Sequence, residues 1–275
     1  MLRVIIFTHG GAEALVNRLL NLPEVEIGGI LVEPARKPER SLSARLRRSL
    51  KYEGFYATVR KLVSSVFSRS AGGEVLERIN EKQSLLEKFA SENQIPFHRV
   101  DDYHSQSSLD LIRSLRADLG ILYGTNIIGE QVFSIPRLGS INLHQGLAPH
   151  YRGGPTVFWE LFNDETELGI TVHFVVSKVD AGDIIVQRKI PLNYDFEVYG
   201  LEYDRFLEEY RRSLKEPSVA LIAEAVEKIA RGNAPRMAQD LSVGKRYRLP
   251  TKREKDQLRS ILRKRWKATA KVMYR

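Results

Sequence analysis

The chain opens with the apolar run Leu2-Arg-Val-Ile-Ile-Phe7 and turns through Thr8-His-Gly-Gly11. It then enters a segment with Leu15, Leu19 and Leu20 at helical spacing before a second apolar run at residues 25–32. Two short apolar runs joined by an amphipathic helix are the unit from which parallel sheets are built. This opening predicts an α/β fold, a Rossmann-like mostly parallel sheet flanked by helices, with its ligand crevice outside the carboxyl ends of the strands. The alternation continues downstream. Strands are expected at residues 96–100 and 119–123, after helices through Leu85, Leu86 and Phe89 and through Leu109, Ile112 and Leu115. A strand at 139–143, a helix over about 155–162, and a strand pair at 169–176 and 183–191 complete the pattern.

Residues 34–73 interrupt it. This interval is longer than an ordinary α/β connection. It carries Leu46, Leu50, Phe55, Tyr56, Val59, Leu62, Val63 and Phe67 at mostly helical spacing, which predicts a basic helical insertion. After Leu192, residues 201–214 and 218–230 also read as helices, with Gly232 as a C-terminal stop. Thr251-Lys-Arg-Glu254 then forms a capping-box pattern, followed by Leu258, Ile261, Leu262 and Trp266 on one face. The expected organisation is a main unit at 1–192, containing the 34–73 insertion, and a helical, basic C-terminal extension at 193–275. The apolar stripe of the last helix needs a docking surface, either within the chain or in a homo-oligomer.

The net charge of +9 is unevenly spread, since residues 244–275 carry +11 and residues 36–61 carry +7, leaving the remainder acidic. Such clusters suit contact with nucleic acid or an anionic membrane, and equally a solvated helix face. The chain contains no cysteine, which excludes disulfides, thiolate catalysis and cysteine-ligated metals. The opening apolar run is too short for a signal peptide, and no run approaches the roughly 18 apolar residues of a membrane-spanning helix. A soluble, cytoplasmic protein is the expectation.

Chemistry concentrates in Ser140-Ile-Asn-Leu-His-Gln-Gly-Leu-Ala-Pro-His-Tyr-Arg-Gly-Gly154 and in Lys178-Val-Asp-Ala-Gly-Asp183. Asn142 and His144 are two residues apart on a strand, so their side chains share a face. The chain then leaves through Gly146, Pro149, Gly153 and Gly154, which favour tight, irregular backbone. Asp180 follows the strand-like run in a glycine-containing loop. Taken singly, the Asn is a turn hydrogen-bonder, the His a structural residue and the Asp a turn former; together they supply an amide, an imidazole and a carboxylate. His98, His104 and His173 do not make a metal set, and no metal is expected.

These residues resemble the folate-dependent formyltransferase family, whose members include methionyl-tRNA, glycinamide ribonucleotide and sugar N-formyltransferases. The resemblance covers about residues 118–192, with weaker support at the first strand. It is carried by Asn142-Leu-His144, by the loop from Pro149 to Gly153, and by Asp180 in Asp-Ala-Gly-Asp. One departure is Gly146-Leu-Ala-Pro149, where the family loop usually reads Ser-Leu-Leu-Pro. The resemblance implies a catalytic domain at 1–192 with Asn142, His144 and Asp180 as catalytic residues and 10-formyltetrahydrofolate as co-substrate. The family's pterin-enclosing loop aligns with Tyr123, Gly124, Asn126, Ile127 and Ile128, and the opposite wall with Val176 and Val179. His9, Gly10 and Gly11 are candidates for an acceptor phosphate, and Arg152 and Gly153 for closing the loop or contacting the acceptor.

In that chemistry an amine attacks the formyl carbon and a tetrahedral oxyanion develops, for which His144 as an imidazolium and Asn142 offer hydrogen-bond donors. Asp180 would favour the charged imidazole and orient a water. The methionyl-tRNA enzymes continue into a C-terminal barrel domain, whereas this chain continues into helices, so the expected acceptor is a small-molecule amine. Two further readings are hydrolysis of the same formyl-folate, and a non-catalytic relative that uses its basic segments to hold RNA or another anionic partner.

Overall fold

A computed structural model of the chain describes residues 1–34, 47, 51–52, 73–192 and 203–273. The expected insertion at 34–73 lies almost wholly outside the described residues. The element order begins β1 (Leu2–Thr8), α1 (Glu13–Leu20), β2 (Val25–Val32), α2 (Gly73–Glu92), β3 (Phe97–Arg99), α3 (Gln106–Ser114), β4 (Leu119–Tyr123) and α4 (Glu130–Phe133). It continues with β5 (Ser140–His144), β6 (Tyr151–Gly153), α5 (Phe158–Phe162), β7 (Glu167–Phe174) and β8 (Ile184–Pro191), then α6 (Tyr203–Ser213), α7 (Lys215–Ala230), β9 (Lys245–Tyr247) and α8 (Lys252–Met273).

Seven strands form one sheet in the order β3-β2-β1-β4-β5-β7-β8. The first five pair in parallel, and β7 and β8 are antiparallel to their neighbours. The order reverses between β1 and β4, so the helices that follow these strands diverge and leave a crevice at the carboxyl ends. The candidate loops after Thr8 and Tyr123 lie at those ends.

The strand period sorts the β1 side chains to two faces: Leu2, Val4 and Ile6 join one apolar cluster, Ile5 and Phe7 the other. The first cluster also takes in Phe206, Leu207, Tyr210 and Leu214, the apolar face of α7, and Leu258 and Leu262 of α8. The hydrophobic core is therefore continuous from β1 to the last helix, and α7 packs on α1, β7 and β8. The Thr251–Glu254 capping box forms, with Glu254 N–H donating to Thr251 Oγ1 at 3.3 Å and Thr251 N–H to the Glu254 carboxylate at 2.6 Å.

Some expected apolar contacts fail. Leu20 and Leu85 are exposed, each next to a buried Leu, Leu19 and Leu86, and so rotated about 100° off the packed face. Trp266 is 36% exposed while Leu258 and Leu262 are buried, because α8 docks through its earlier turns against α5. A second sheet was not expected: β6 and β9 pair in parallel, joining Tyr151, Arg152 and Gly153 to Lys245, Arg246 and Tyr247. Tyr151 and Tyr247 stack with ring centroids 5.1 Å apart. Among the described residues, no helix is long and apolar enough to cross a membrane.

Candidate active site

Asn142 and His144 project from the same face of β5, as their spacing requires. Both meet Asp180, from the loop between β7 and β8. Asn142 Nδ2 lies 3.4 Å from Asp180 Oδ1, and His144 Nδ1 lies 3.5 Å from Asp180 Oδ2. A third side chain joins them: His173 is the cross-strand partner of Asn142 on β7, and its Nε2 stands 3.4 Å from Asp180 Oδ1. His173 Nδ1–H donates to the Phe174 carbonyl at 2.8 Å, which orients the ring. The contact of His173 with Asp180 depends on strand pairing and has no local sequence signal.

The Gly153 backbone N–H donates to Asp180 Oδ2 at 2.8 Å. Burial alone would raise the Asp180 pKa, but the His173 hydrogen bond, the His144 ring and the Gly153 N–H outweigh it and hold the carboxyl at about 2. Asp180 is thus a carboxylate at neutral pH. Burial pushes His144 below the ordinary imidazole value, against the opposing pull of Asp180 and the Tyr151 carbonyl. Burial thus favours the neutral ring, while Asp180 beside it favours the charged one. His144 Nε2–H donates to the Tyr151 carbonyl at 2.6 Å. Gly146 makes room for this arrangement, since a Cβ there would collide with His144 Nε2 and lie 2.6 Å from the Tyr151 oxygen.

The loop after β4 is held by two other histidines. His9 Nε2 accepts the Asn126 N–H at 3.0 Å while its Nδ1–H donates to the Glu33 carbonyl at 2.8 Å. His104 Nε2 accepts the Gly129 N–H at 2.9 Å. Ile127 is 76% exposed on this loop and Val176 is 44% exposed on the next; Ile128 is buried and Tyr123 half-buried. Ser177 Oγ donates to Glu130 Oε2 at 2.7 Å, tying the two loops together. Gly124 has φ +67° and open space around it, and Val179 is half-buried beside Asp180 in sequence. Gly10 directs its N–H to Thr8 Oγ1 at 3.1 Å, and Gly11 adopts φ +76°. Arg152 is buried, its Nε–H donating to the Pro149 carbonyl at 3.3 Å across the loop.

A family described as formyl transferase matches residues 42–212, more than half of the chain. The chain belongs to the formyl transferase family. The match runs past Leu192 into α6. Methionyl-tRNA formyltransferase of Thermotoga maritima is 34% identical over 155 residues, covering 56% of this chain and 46% of the relative. The enzyme of the same name from Listeria monocytogenes serotype 4a is 38% identical over 122 residues, 44% of this chain and 38% of the relative. The match spans less than half the length of these curated relatives. A sugar N-formyltransferase from Shewanella sp. FDAARGOS_354 superposes with TM-score 0.54 at 14% identity, covering 94% of this chain and 87% of that one. Glycinamide ribonucleotide transformylase 1 from Symbiobacterium toebii gives TM-score 0.52 at 17% identity, covering 87% and 93%. These two likenesses are of fold.

Proposed function

We propose that this protein is a 10-formyltetrahydrofolate-dependent N-formyltransferase that acts on a small-molecule amine. The observation that carries the reading is the convergence of Asn142, His144 and Asp180 at one point of a formyl transferase fold. Asn142 Nδ2 has only 3.4 Å contacts, so it is free to turn toward a formyl oxygen, and His144 Nε2–H already points at a carbonyl oxygen, that of Tyr151. In this reading Nε2–H is the donor offered to the formyl oxygen. The amine nitrogen bonds to the formyl carbon, the bond from that carbon to the folate nitrogen breaks, and the amine proton ends on the departing folate nitrogen. Asp180, held as a carboxylate, supports positive charge on His144 and orients the proton's path without keeping the proton.

The exposed Ile127 and Val176, on loops joined by the Ser177–Glu130 hydrogen bond, suit the two faces of a flat pterin ring, with Tyr123, Gly124, Asn126, Ile128 and Val179 completing the walls. The catalytic unit is assigned to residues 1–192, with the helical extension at 193–275 supplying packing for it. One solved relative, from Helicobacter canadensis, is described as a complex with folinic acid and dTDP-3-aminofucose, an example of the ligand pair this reading requires. The curated relatives are named for methionyl-tRNA, which makes an aminoacylated tRNA the competing acceptor.

The test incubates the protein with 10-formyltetrahydrofolate and a pooled amine library that includes aminoacylated tRNA, following tetrahydrofolate release and the formyl mass gain together. Release that depends on a small amine supports the reading. Release without any amine points to hydrolysis, release with tRNA alone moves the acceptor to tRNA, and no release in any arm overturns the enzymatic assignment.

A further inference from the structure

Asp180 is approached on two sides by one distant segment, residues 236–248. On the first side Gln239 Nε2 donates to the Asp180 carbonyl at 3.2 Å and to the Gly182 carbonyl at 2.6 Å, so both amide hydrogens of a single side chain span the turn. Met237 forms a two-way backbone bridge with Ile184, and Arg236 lies over the Phe174 ring at 3.9 Å. On the second side β9 pairs with β6, whose Gly153 N–H reaches the Asp180 carboxylate. Lys245 N–H donates to the His150 carbonyl, and Trp159 Nε1–H to the Arg248 carbonyl at 2.8 Å.

Asp180 itself has φ +49°, in the left-handed region that favours glycine. Aspartate tolerates this region better than most residues, and contacts that fix the turn hold it there. Gln239 is placed to do so, and its Oε1 is buried without a hydrogen-bond partner. A carboxamide that leaves its own oxygen unsatisfied is held in place by what its nitrogen does.

We infer that residues 236–248 form a strap that aims Asp180 at His144, with Gln239 as its positioning residue. The inference rests on the formyl-transfer reading for its functional meaning. Removing the two Gln239 hydrogen bonds lets the turn relax and the carboxylate drift from the imidazole, so burial acts on His144 with less opposition.

The test is an NMR pH titration of His144 in the full chain, its signal assigned among the six histidines by loss in His144→Gln. Gln239→Met keeps the length and removes the orphan acceptor, so the fold is expected to persist. It should move the His144 titration to lower pH in the otherwise unaltered protein and produce no further shift in an Asp180→Asn background. An unmoved titration, or the same shift in both backgrounds, overturns the inference. Should Gln239→Met fail to fold, Gln239→Asn stays polar but is one methylene too short to span both carbonyls, and the same pattern decides. The catalytic reading fails separately: full turnover of Asp180→Asn would remove Asp180 from the chemistry while leaving the positional result intact.

Discussion

The Gly153 backbone N–H donates to Asp180 Oδ2 at 2.8 Å, and it does so from a left-handed residue with φ +71°. A Cβ at Gly153 would also lie 2.7 Å from the Tyr247 carbonyl. Gly153→Ala therefore meets both backbone strain and a collision with β9. It should destabilise the fold by about 1–3 kcal/mol and reduce turnover through loss of the Asp180 contact. Urea unfolding and a turnover assay on the same sample check this, and a variant of unchanged stability and rate would contradict it.

His144→Ala, Asp180→Ala and Asn142→Ala should each suppress turnover far more than folding. For His144 and Asn142, loss of one donor at an oxyanion site costs roughly 3 kcal/mol, or about a hundredfold in rate. Melting temperatures and rates of the three purified variants provide the comparison. Near-wild-type turnover in all three would remove the proposed mechanism.

Glu160 on α5 is 2% exposed, and burial raises its carboxyl to about 7 from an ordinary 4.5. The folded state therefore holds its proton more tightly than the unfolded state. As pH rises from about 4.5 to 7 the unfolded chain ionises first, so folding loses stability across that window, on the order of 3 kcal/mol once pH exceeds 7. Glu160→Gln should be more stable than the parent at pH 8 and equal to it at pH 4. Thermal melts at the two values test this, and a difference independent of pH would exclude Glu160 as the titrating group.

Deletion of residues 244–275 should lower the melting temperature, since it removes buried Leu258 and Leu262. It also removes β9 and with it the support of Gly153, so turnover should fall in protein that still folds at low temperature. If the tail were only an RNA-binding arm, the melt would be unchanged and a salt-sensitive association with RNA would be lost. Measuring melting, turnover and RNA binding on one truncated sample separates the two.

The α/β architecture was readable because it follows from local periodicity. Apolar runs at 2–7 and 25–32, with a helix between them, admit few arrangements other than a parallel sheet, and the capping box at Thr251 needs only four residues. Asn142 and His144 share a face for the same reason, the two-residue repeat of a strand. The tertiary structure decided the contacts that no local spacing encodes. His173 reaches Asp180 only because β7 pairs with β5 in a register that puts it opposite Asn142. The downward pull on the His144 pKa follows from burial, a property of the packed core rather than of the motif. The stretch from Pro149 to Gly154 reads as irregular loop, yet Tyr151–Gly153 becomes a strand because Lys245–Tyr247, remote in sequence, offers it backbone partners. A three-residue strand carries almost no sequence signal; it exists only when its partner arrives, and here that partner decides where the Gly153 amide points.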